Sequence, residues 1–449
     1  MRLTVIGTGY LGAVHAACMA DLGHSVLGVD VDPARVRLLA EGRAPFFEPG
    51  FSALLHRAIS SGRLRFTTSA AEAAEFADVH FLCVGTPQSP ESDAADLRHV
   101  YSAVEDLARH VNRPCLVVGK STVPVGTAAR LEAFANTFTA GGDQVRIAWN
   151  PEFLCEGFAV QDTLQPSRIV VGAHDARAVD ELRSVYAPLL DRATPFIVTD
   201  LVTAELVKVA ANAFLATKIS FINAMAEVCE AAEADVVTLA RAIGHDPRIG
   251  PAFLSSGLGF GGGCLPKDIR AFTARAEELG VGRALGFLRE VDEINLRRRQ
   301  RTVDLAREVL GGSLADEPIA VLGAAFKPDS DDIRDSPALA VSAALHLQGA
   351  RVRVHDPEAV ENARTAFPFL DFTTEVAKVL EGTRLVLDCT EWQEYQVLDP
   401  ERLRHLTAEP RMLDARNSLD FPRWRAAGWT VRALGRHEPA EPLPAAQAL

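Results

Sequence analysis

Leu3-Thr4-Val5-Ile6-Gly7-Thr8-Gly9-Tyr10-Leu11-Gly12 reads as a short β-strand, a glycine turn and the opening of a helix. In such a turn Gly7 makes the tight bend, and Gly9 lets the backbone approach a pyrophosphate. Gly12 allows close packing of helix on strand, and the helix N-terminus offers partial positive charge to the phosphates. Ser25–Asp30 reads as the next strand and ends in an acid, Asp30, 23 positions after Gly7. An acid there binds ribose hydroxyls and repels a 2′-phosphate, so NAD is the expected cofactor rather than NADP. Arg35, five residues on, is expected to lie against the adenine. A second glycine motif, Gly119-Lys120-Ser121, imitates the end of a P-loop. The P-loop's first glycine would fall at Pro114, so that reading fails.

Outward from this turn, β-rich runs alternate with helical patterns: Val79–Val84 and Cys115–Val118 are strands, and Leu11–Leu22 and Leu97–His110 helices. Alternation of this kind builds βαβ units and a parallel sheet. From residue 201 to 243 the chain is rich in Ala, Leu, Val and Glu, with no Gly or Pro, and reads as one long helix. Another helical stretch is expected from Asp268 to Leu310. Beyond residue 315 the β pattern returns with Pro318–Gly323, Arg351–His355 and Arg384–Asp388. The expected fold is α/β: two Rossmann-like, doubly wound domains joined by a central segment of long helix. The boundaries fall at 1–200, 201–310 and 311–435, with 436–449 a loose tail.

Among 449 residues, 46 Lys plus Arg against 59 Asp plus Glu give a net charge of −13. That balance argues against nucleic-acid binding, which rests on a basic footprint. No apolar run approaches the ~20 residues that span a bilayer, so no membrane segment is expected. Seven dispersed cysteines without a C-x-x-C make neither a disulfide framework nor a zinc site. A reduced, cytoplasmic protein with no metal is the expectation.

The segment Gly259-Phe260-Gly261-Gly262-Gly263-Cys264-Leu265-Pro266-Lys267-Asp268 carries the chemistry. Four glycines in five residues are costly in entropy, and their backbone is expected to serve a ligand. Pro266 suits the first turn of a helix, which puts Cys264 just ahead of a helix N-terminus. That position and Lys267 both lower a thiol pKa from about 8.5 and improve the nucleophile. An alcohol gives up one hydride directly, but the resulting aldehyde needs something added to its carbonyl before it gives up a second. A thiolate does this, forming a thiohemiacetal and then a thioester that water cleaves. A nicotinamide cofactor and a reactive cysteine on one chain therefore point to oxidation up to an acid.

With these motifs stand Lys120-Ser121-Thr122-Val123-Pro124, Asn150-Pro151-Glu152-Phe153-Leu154, Lys208–Asn212 and Phe326-Lys327-Pro328. In this order they resemble the UDP-glucose/GDP-mannose dehydrogenase family from residue 1 to about 420. The resemblance implies four-electron oxidation of a nucleotide sugar at C6, with two NAD used in turn, and a homodimer or larger homo-oligomer. UDP-glucose is the expected substrate. UDP-N-acetylmannosamine, UDP-N-acetylglucosamine and GDP-mannose are the alternatives. Carried over by position, Cys264 is the nucleophile, and Lys208 and Asn212, four apart on one helix face, hold the oxygen at C6. Asp268 and Thr122 flank a water, and Glu152 is an acid for thioester hydrolysis. The resemblance adds Tyr10, Leu11, Val84, Thr86, Pro87, Thr122, Glu156, Lys267 and Arg334 to the NAD site. On the sugar-nucleotide side it implies Glu152, Phe153, Leu154, Cys155, Glu156, Lys208 and Asn212, and also Arg248, Phe253, Phe260, Gly261, Lys327 and Arg416. Arg248 resembles an arginine that reaches into a partner subunit's site. Cys155 stands where many bacterial relatives carry Arg, and Phe260 where many carry Tyr.

Overall fold

The computed structural model describes residues 1–142 and 144–437, so the expected tail lies outside the described residues from 438 onward. The chain divides into two compact units, Met1–Asn212 with Lys267–Leu285, and Ala213–Pro266 with the chain from Gly286 onward.

The first unit holds an eight-stranded sheet. Its strands are β1 Arg2–Ile6, β2 Ser25–Val29, β3 Leu64–Thr67, β4 Val79–Leu82, β5 Cys115–Gly119, β6 Val145–Trp149, β7 Ile169–Ala173 and β8 Phe196–Thr199. The order is β3-β2-β1-β4-β5-β6-β7-β8, and β7 runs antiparallel to β6 while every other pair is parallel. From β3 to β6 this is the doubly wound dinucleotide-binding order, in which the direction of winding reverses between β1 and β4. The Gly7–Gly12 turn leaves the carboxyl end of β1, at that reversal.

Strand β5 shows why these runs are apolar throughout. Leu116 and Val118 enter one core with Val14, Ala17 and Leu182, while Cys115 and Val117 enter another with Val104 and Leu131. Alternate side chains point to opposite faces, and helices cover both faces.

The second unit holds β9 Pro318–Leu322, β10 Arg351–His355, β11 Asp371–Thr373, β12 Leu385–Asp388, β13 Arg411–Asp414 and β14 Thr430–Ala433. All are parallel, in the order β11-β10-β9-β12-β13-β14. This repeats the relative order of the first six strands.

Two helical expectations need correction. Residues 201–243 form not one helix but two, Leu201–Ala232 and Val236–Gly244. Glu233 adopts a left-handed φ of +57°, which costs a residue with a Cβ about 1–2 kcal/mol. Asp235 then caps the next helix by accepting from the Thr238 N–H at 2.7 Å. The signal was an N-capping aspartate rather than a glycine or proline. The stretch 268–310 is likewise broken, into Leu265–Glu278, a 3-10 turn Gly282–Leu285, and Phe287–Val309, with Gly280 at φ +75° between the first two. The expectation about apolar length also changes. Leu201–Ala232 is long and apolar enough to cross a membrane by length and composition alone.

Candidate functional site

The three glycines of the first turn do different work. Gly7 has φ +86°, and a Cβ there would lie 2.8 Å from the Val84 side chain. A Cβ on Gly12 would lie 1.8 Å from the Gly7 carbonyl oxygen, a backbone atom that cannot step aside. At Gly9 nothing stands within 4 Å, so the space a dinucleotide phosphate needs is open. Gly9 also caps the helix Tyr10–Asp21 without a side-chain acceptor on its first N–H groups. These features fit a bound dinucleotide.

Asp30 is buried directly beyond β2, and its Oδ2 accepts from the Thr8 N–H at 2.8 Å and the Thr8 hydroxyl at 3.1 Å. Its Oδ1 accepts from the Asp32 N–H at 3.0 Å. Burial pushes this carboxyl up, but the Asp32 and Thr8 amides and the Arg35 guanidinium outweigh it and hold it below the usual range. Arg35, expected beside the adenine, pairs with Asp30 at 3.1 Å.

Around the turn, Leu11 packs on the core and Tyr10 donates to Glu48, which also accepts from the Gly157 N–H at 2.7 Å. Glu48 thereby links the glycine turn to the chain just after Glu156. Thr86 donates to the Thr122 carbonyl at 2.8 Å. The Pro87 carbonyl accepts from the Asp96 N–H at 2.8 Å.

The long helix presents its polar residues in a line. Lys208 Nζ lies 2.9 Å from Glu152 Oε1, and Glu152 Oε2 accepts from the Leu154 N–H at 2.6 Å. One turn on, Asn212 Nδ2 donates to Asp268 Oδ2 at 2.7 Å, while Lys267 Nζ pairs with Asp268 Oδ1 at 2.6 Å. Lys208, Asn212 and Asp268 are all buried. Thr122, Val209, Lys267 and Asp268 line one small pocket. Phe153 lies under both Arg168, at 3.8 Å from the ring centroid, and Lys208, at 5.8 Å. The Cys155 N–H donates to Asp162, and the Cys155 side chain is exposed.

Behind Glu152 is a cavity of about 190 Å³ bordered by Lys120, Asn150, Phe153, Arg168 and Tyr186. Lys120 donates to Asn150 Oδ1 at 3.0 Å, and Tyr186 donates to the same oxygen at 2.6 Å. Burial pushes the Lys120 ammonium down to about 8.

In the second unit the glycine-rich loop is crowded by protein. A Cβ on Gly259 would meet Asn295 Oδ1 at 2.4 Å, and one on Gly261 the Asp335 carbonyl at 2.3 Å. Gly262, at φ +85°, lies against the Phe326 ring, and Gly263 against Arg334. At Gly259, Gly261 and Gly262 the close approach of these neighbours already favours glycine, whatever ligand the loop also serves, whereas the Arg334 side chain beside Gly263 can move aside. Asn295 holds the loop by accepting from the Phe260 N–H at 2.7 Å and donating to the Phe260 carbonyl at 2.9 Å. Arg416 donates to the Gly259 carbonyl at 2.8 Å and to the Cys389 carbonyl at 2.8 Å. Lys327 stands over the Phe326 ring, and Arg334 pairs with Asp332.

Cys264 is exposed and directly precedes the helix Leu265–Glu278, with Pro266 at its second position. The five other non-loop cysteines, 18, 83, 115, 229 and 389, are buried. Burial pushes the Cys83 and Cys115 thiols up to about 12, leaving them inert. Arg248 is exposed and pairs with Asp246 at 2.6 Å. Phe253 is half-exposed at a left-handed φ of +64°. That conformation is strained for a residue with a Cβ. Among the described residues, no group of three or more His, Cys, Asp or Glu is placed to hold a metal ion.

Within the first unit the structure gathers Glu152, Lys208, Asn212, Lys267 and Asp268, residues scattered over more than a hundred positions. Sequence reasoning passed over Glu48, Tyr186, Glu205 and Asn295, and quoted Asn150 within a motif without giving it a role. Only Glu205 left a readable trace: a carboxylate on an apolar helix, three residues before Lys208 and seven before Asn212.

Residues 1–190 match the NAD binding domain of the UDP-glucose/GDP-mannose dehydrogenase family, residues 202–297 its central domain, and residues 320–421 its UDP binding domain. The chain belongs to that family, and its dinucleotide is NAD. It is 40% identical to the UDP-glucose 6-dehydrogenase of Rhizobium meliloti (strain 1021) over 438 residues, covering 97% of this chain and 100% of the relative. It is also similar to the solved UDP-glucose dehydrogenase of the hyperthermophilic archaeon Pyrobaculum islandicum. There the TM-score is 0.87 and the identity 40%, over 96% of this chain and 98% of that one. A UDP-D-ManNAc dehydrogenase from Pyrococcus horikoshii is similar at a TM-score of 0.84 and 26% identity, over 97% and 99% of the two chains.

Proposed function

We propose that this chain oxidises UDP-glucose at C6 to UDP-glucuronate, by two successive hydride transfers to two NAD. The observation that carries the reading is the exposed Cys264 at the head of the helix whose Asp268 is bonded to Asn212, one turn beyond Lys208. NAD, when bound, supplies the hydride acceptor. Lys208 and Asn212 hold the C6 oxygen as it gains negative charge, a task for preorganised donors. Cys264 Sγ adds to the aldehyde carbon and gives a thiohemiacetal, which loses the second hydride and becomes a thioester. Water cleaves the C–S bond, releasing the carboxylate and restoring the thiol. Thr122 and Asp268 position that water, and Glu152 accepts its proton. Arg416, Lys327, Phe253 and Gly261 contact the nucleotide sugar, Phe260 belongs to its sugar pocket, and Arg248 reaches a partner subunit's site.

UDP-glucose is favoured over UDP-N-acetylmannosamine by 40% identity to the R. meliloti enzyme against 26% to the P. horikoshii one. The three family segments support functional domains at 1–200, 201–310 and 311–435. A homodimer is part of the reading. Phe214, Phe221 and Val228 recur every seven residues along the long helix, each about half-exposed or more, which is an apolar stripe suited to a second copy. A cytoplasmic location is supported by seven cysteines, none of them in a disulfide.

The test is NADH production on a panel of UDP- and GDP-sugars. Two NADH per UDP-glucose, with lower kcat/KM on the others, is expected. Preferential turnover of an N-acetylated sugar or of GDP-mannose would reassign the substrate, and no turnover on any would remove the activity.

A further inference from the structure

We infer that Glu205 is a positioning residue that locks the Thr122 loop to the helix face bearing Lys208 and Asn212. The inference rests on the functional reading above for the roles of Thr122, Lys208 and Asn212; the geometry of Glu205 does not. The helix Thr127–Asn136 begins at Gly126, which has φ +88° and no side chain with which to cap. Its cap comes instead from 77 residues away. Glu205 Oε2 accepts from the Gly126 N–H at 2.6 Å, and Oε1 accepts from the Ala128 N–H at 2.6 Å.

Both carboxylate oxygens are therefore committed to a helix N-terminus, where two amide donors and the helix dipole favour an anion. Glu205 is buried. Burial pushes its carboxyl up, against the opposing effect of the Ala128, Gly126 and Thr127 amides and of Arg130. At φ +88° position 126 takes no capping serine or aspartate without strain, so the acceptor for these amides has to come from another element.

What the distant carboxylate adds is a fixed distance. Glu205, Lys208 and Asn212 sit at i, i+3 and i+7 on one buried face of one helix. Gly126 is four residues beyond Thr122. The rest of that loop is held to other elements: Lys120 to Asn150, Ser121 to the Val84 carbonyl at 2.6 Å, the Thr122 carbonyl to Thr86, and the Val125 carbonyl to Arg275 at 3.0 Å. Glu205 ties it to the helix that carries the two C6-oxygen donors. Glutamine cannot replace it, because its amide has one acceptor oxygen and would turn an N–H₂ toward a backbone N–H.

The experiment is a double-mutant cycle on kcat. Glu205→Gln should lower kcat by about 10- to 100-fold, as expected for small misplacement of reacting groups, with KM for UDP-glucose little changed. In a Thr122→Ala background the same substitution should cost a much smaller factor, because the loop it positions has lost its working group. Equal factors in the two backgrounds, or an unchanged kcat in Glu205→Gln, would overturn the inference. Amide hydrogen exchange on the wild-type protein decides the matter if the variant does not fold. Gly126 and Ala128 should be protected like the amides of β5, and exchange at open-loop rates would overturn it. Absence of wild-type turnover on every sugar would instead bring down the functional reading and leave the exchange result standing.

Discussion

Lys208 Nζ and Glu152 Oε1 stand 2.9 Å apart, with both side chains largely buried. The pair joins the cation proposed to stabilise charge at C6 to the acid proposed for hydrolysis. Neither side chain is free of the other in this arrangement. Breaking such a pair from one side leaves an uncompensated charge, at a cost of about 3–5 kcal/mol where burial is complete.

Lys208→Ala should lower kcat by about 100-fold or more, the usual cost of one donor to a developing oxyanion. KM for the sugar nucleotide should change little, because the ammonium matters most in the transition state. Steady-state kinetics check this. A normal kcat with a raised KM would mean that Lys208 only binds.

Asp30→Ala should weaken NAD far more than the sugar nucleotide. The substitution removes the expected ribose acceptor and also strips Thr8 and Arg35 of their partner. Calorimetric titration of each ligand separates the effects. Equal losses for both would point to damage to the turn itself.

Cys264→Ser separates the two halves of the reaction. The first hydride leaves an alcohol and needs no thiol, whereas the second needs a covalent adduct. A serine hydroxyl ionises far less readily, so steady turnover to the acid should nearly vanish while both ligands still bind. Two NADH per sugar at the parental rate would remove the covalent route.

His80 gives a stability prediction. It is fully buried beside Thr4, with Nδ1 2.6 Å from the Thr4 hydroxyl, and burial pushes its pKa down to about 4. Between about pH 6.5 and pH 4 the unfolded chain takes up a proton here that the folded chain refuses, so stability falls as pH falls through that window. This residue should account for about 2 kcal/mol between about pH 7 and pH 5. Urea denaturation of wild type and His80→Gln at the two pH values measures it. Identical pH dependence in the two proteins would contradict the assignment.

Much of this was legible in the chain. Gly7, Gly9, Gly12 and Asp30 announced the dinucleotide fold because each glycine is required by backbone geometry, which sequence spacing fixes directly. Lys208 and Asn212 were readable as neighbours because one helical turn places them so. The break at Glu233 was not readable from composition. No glycine or proline marks it, and a left-handed glutamate two residues before a capping aspartate is a local outcome that helix propensity does not encode.

Local spacing alone thus settled the strand–turn–helix of the NAD site, the repeated α/β pattern and the place of Cys264 just ahead of a helix. Tertiary structure alone decided who partners whom. It brought Glu152 to Lys208 across 56 positions, Asp268 to Asn212 across another 56, and Glu205 to the Gly126 amide across 79. It also showed that the backbone at Gly259, Gly261 and Gly262 is crowded by Asn295, Asp335 and Phe326. The physical reason is range. Turns and caps act over a few residues and leave their mark in sequence order, whereas buried charges take partners from whichever elements the packing of the core brings beside them.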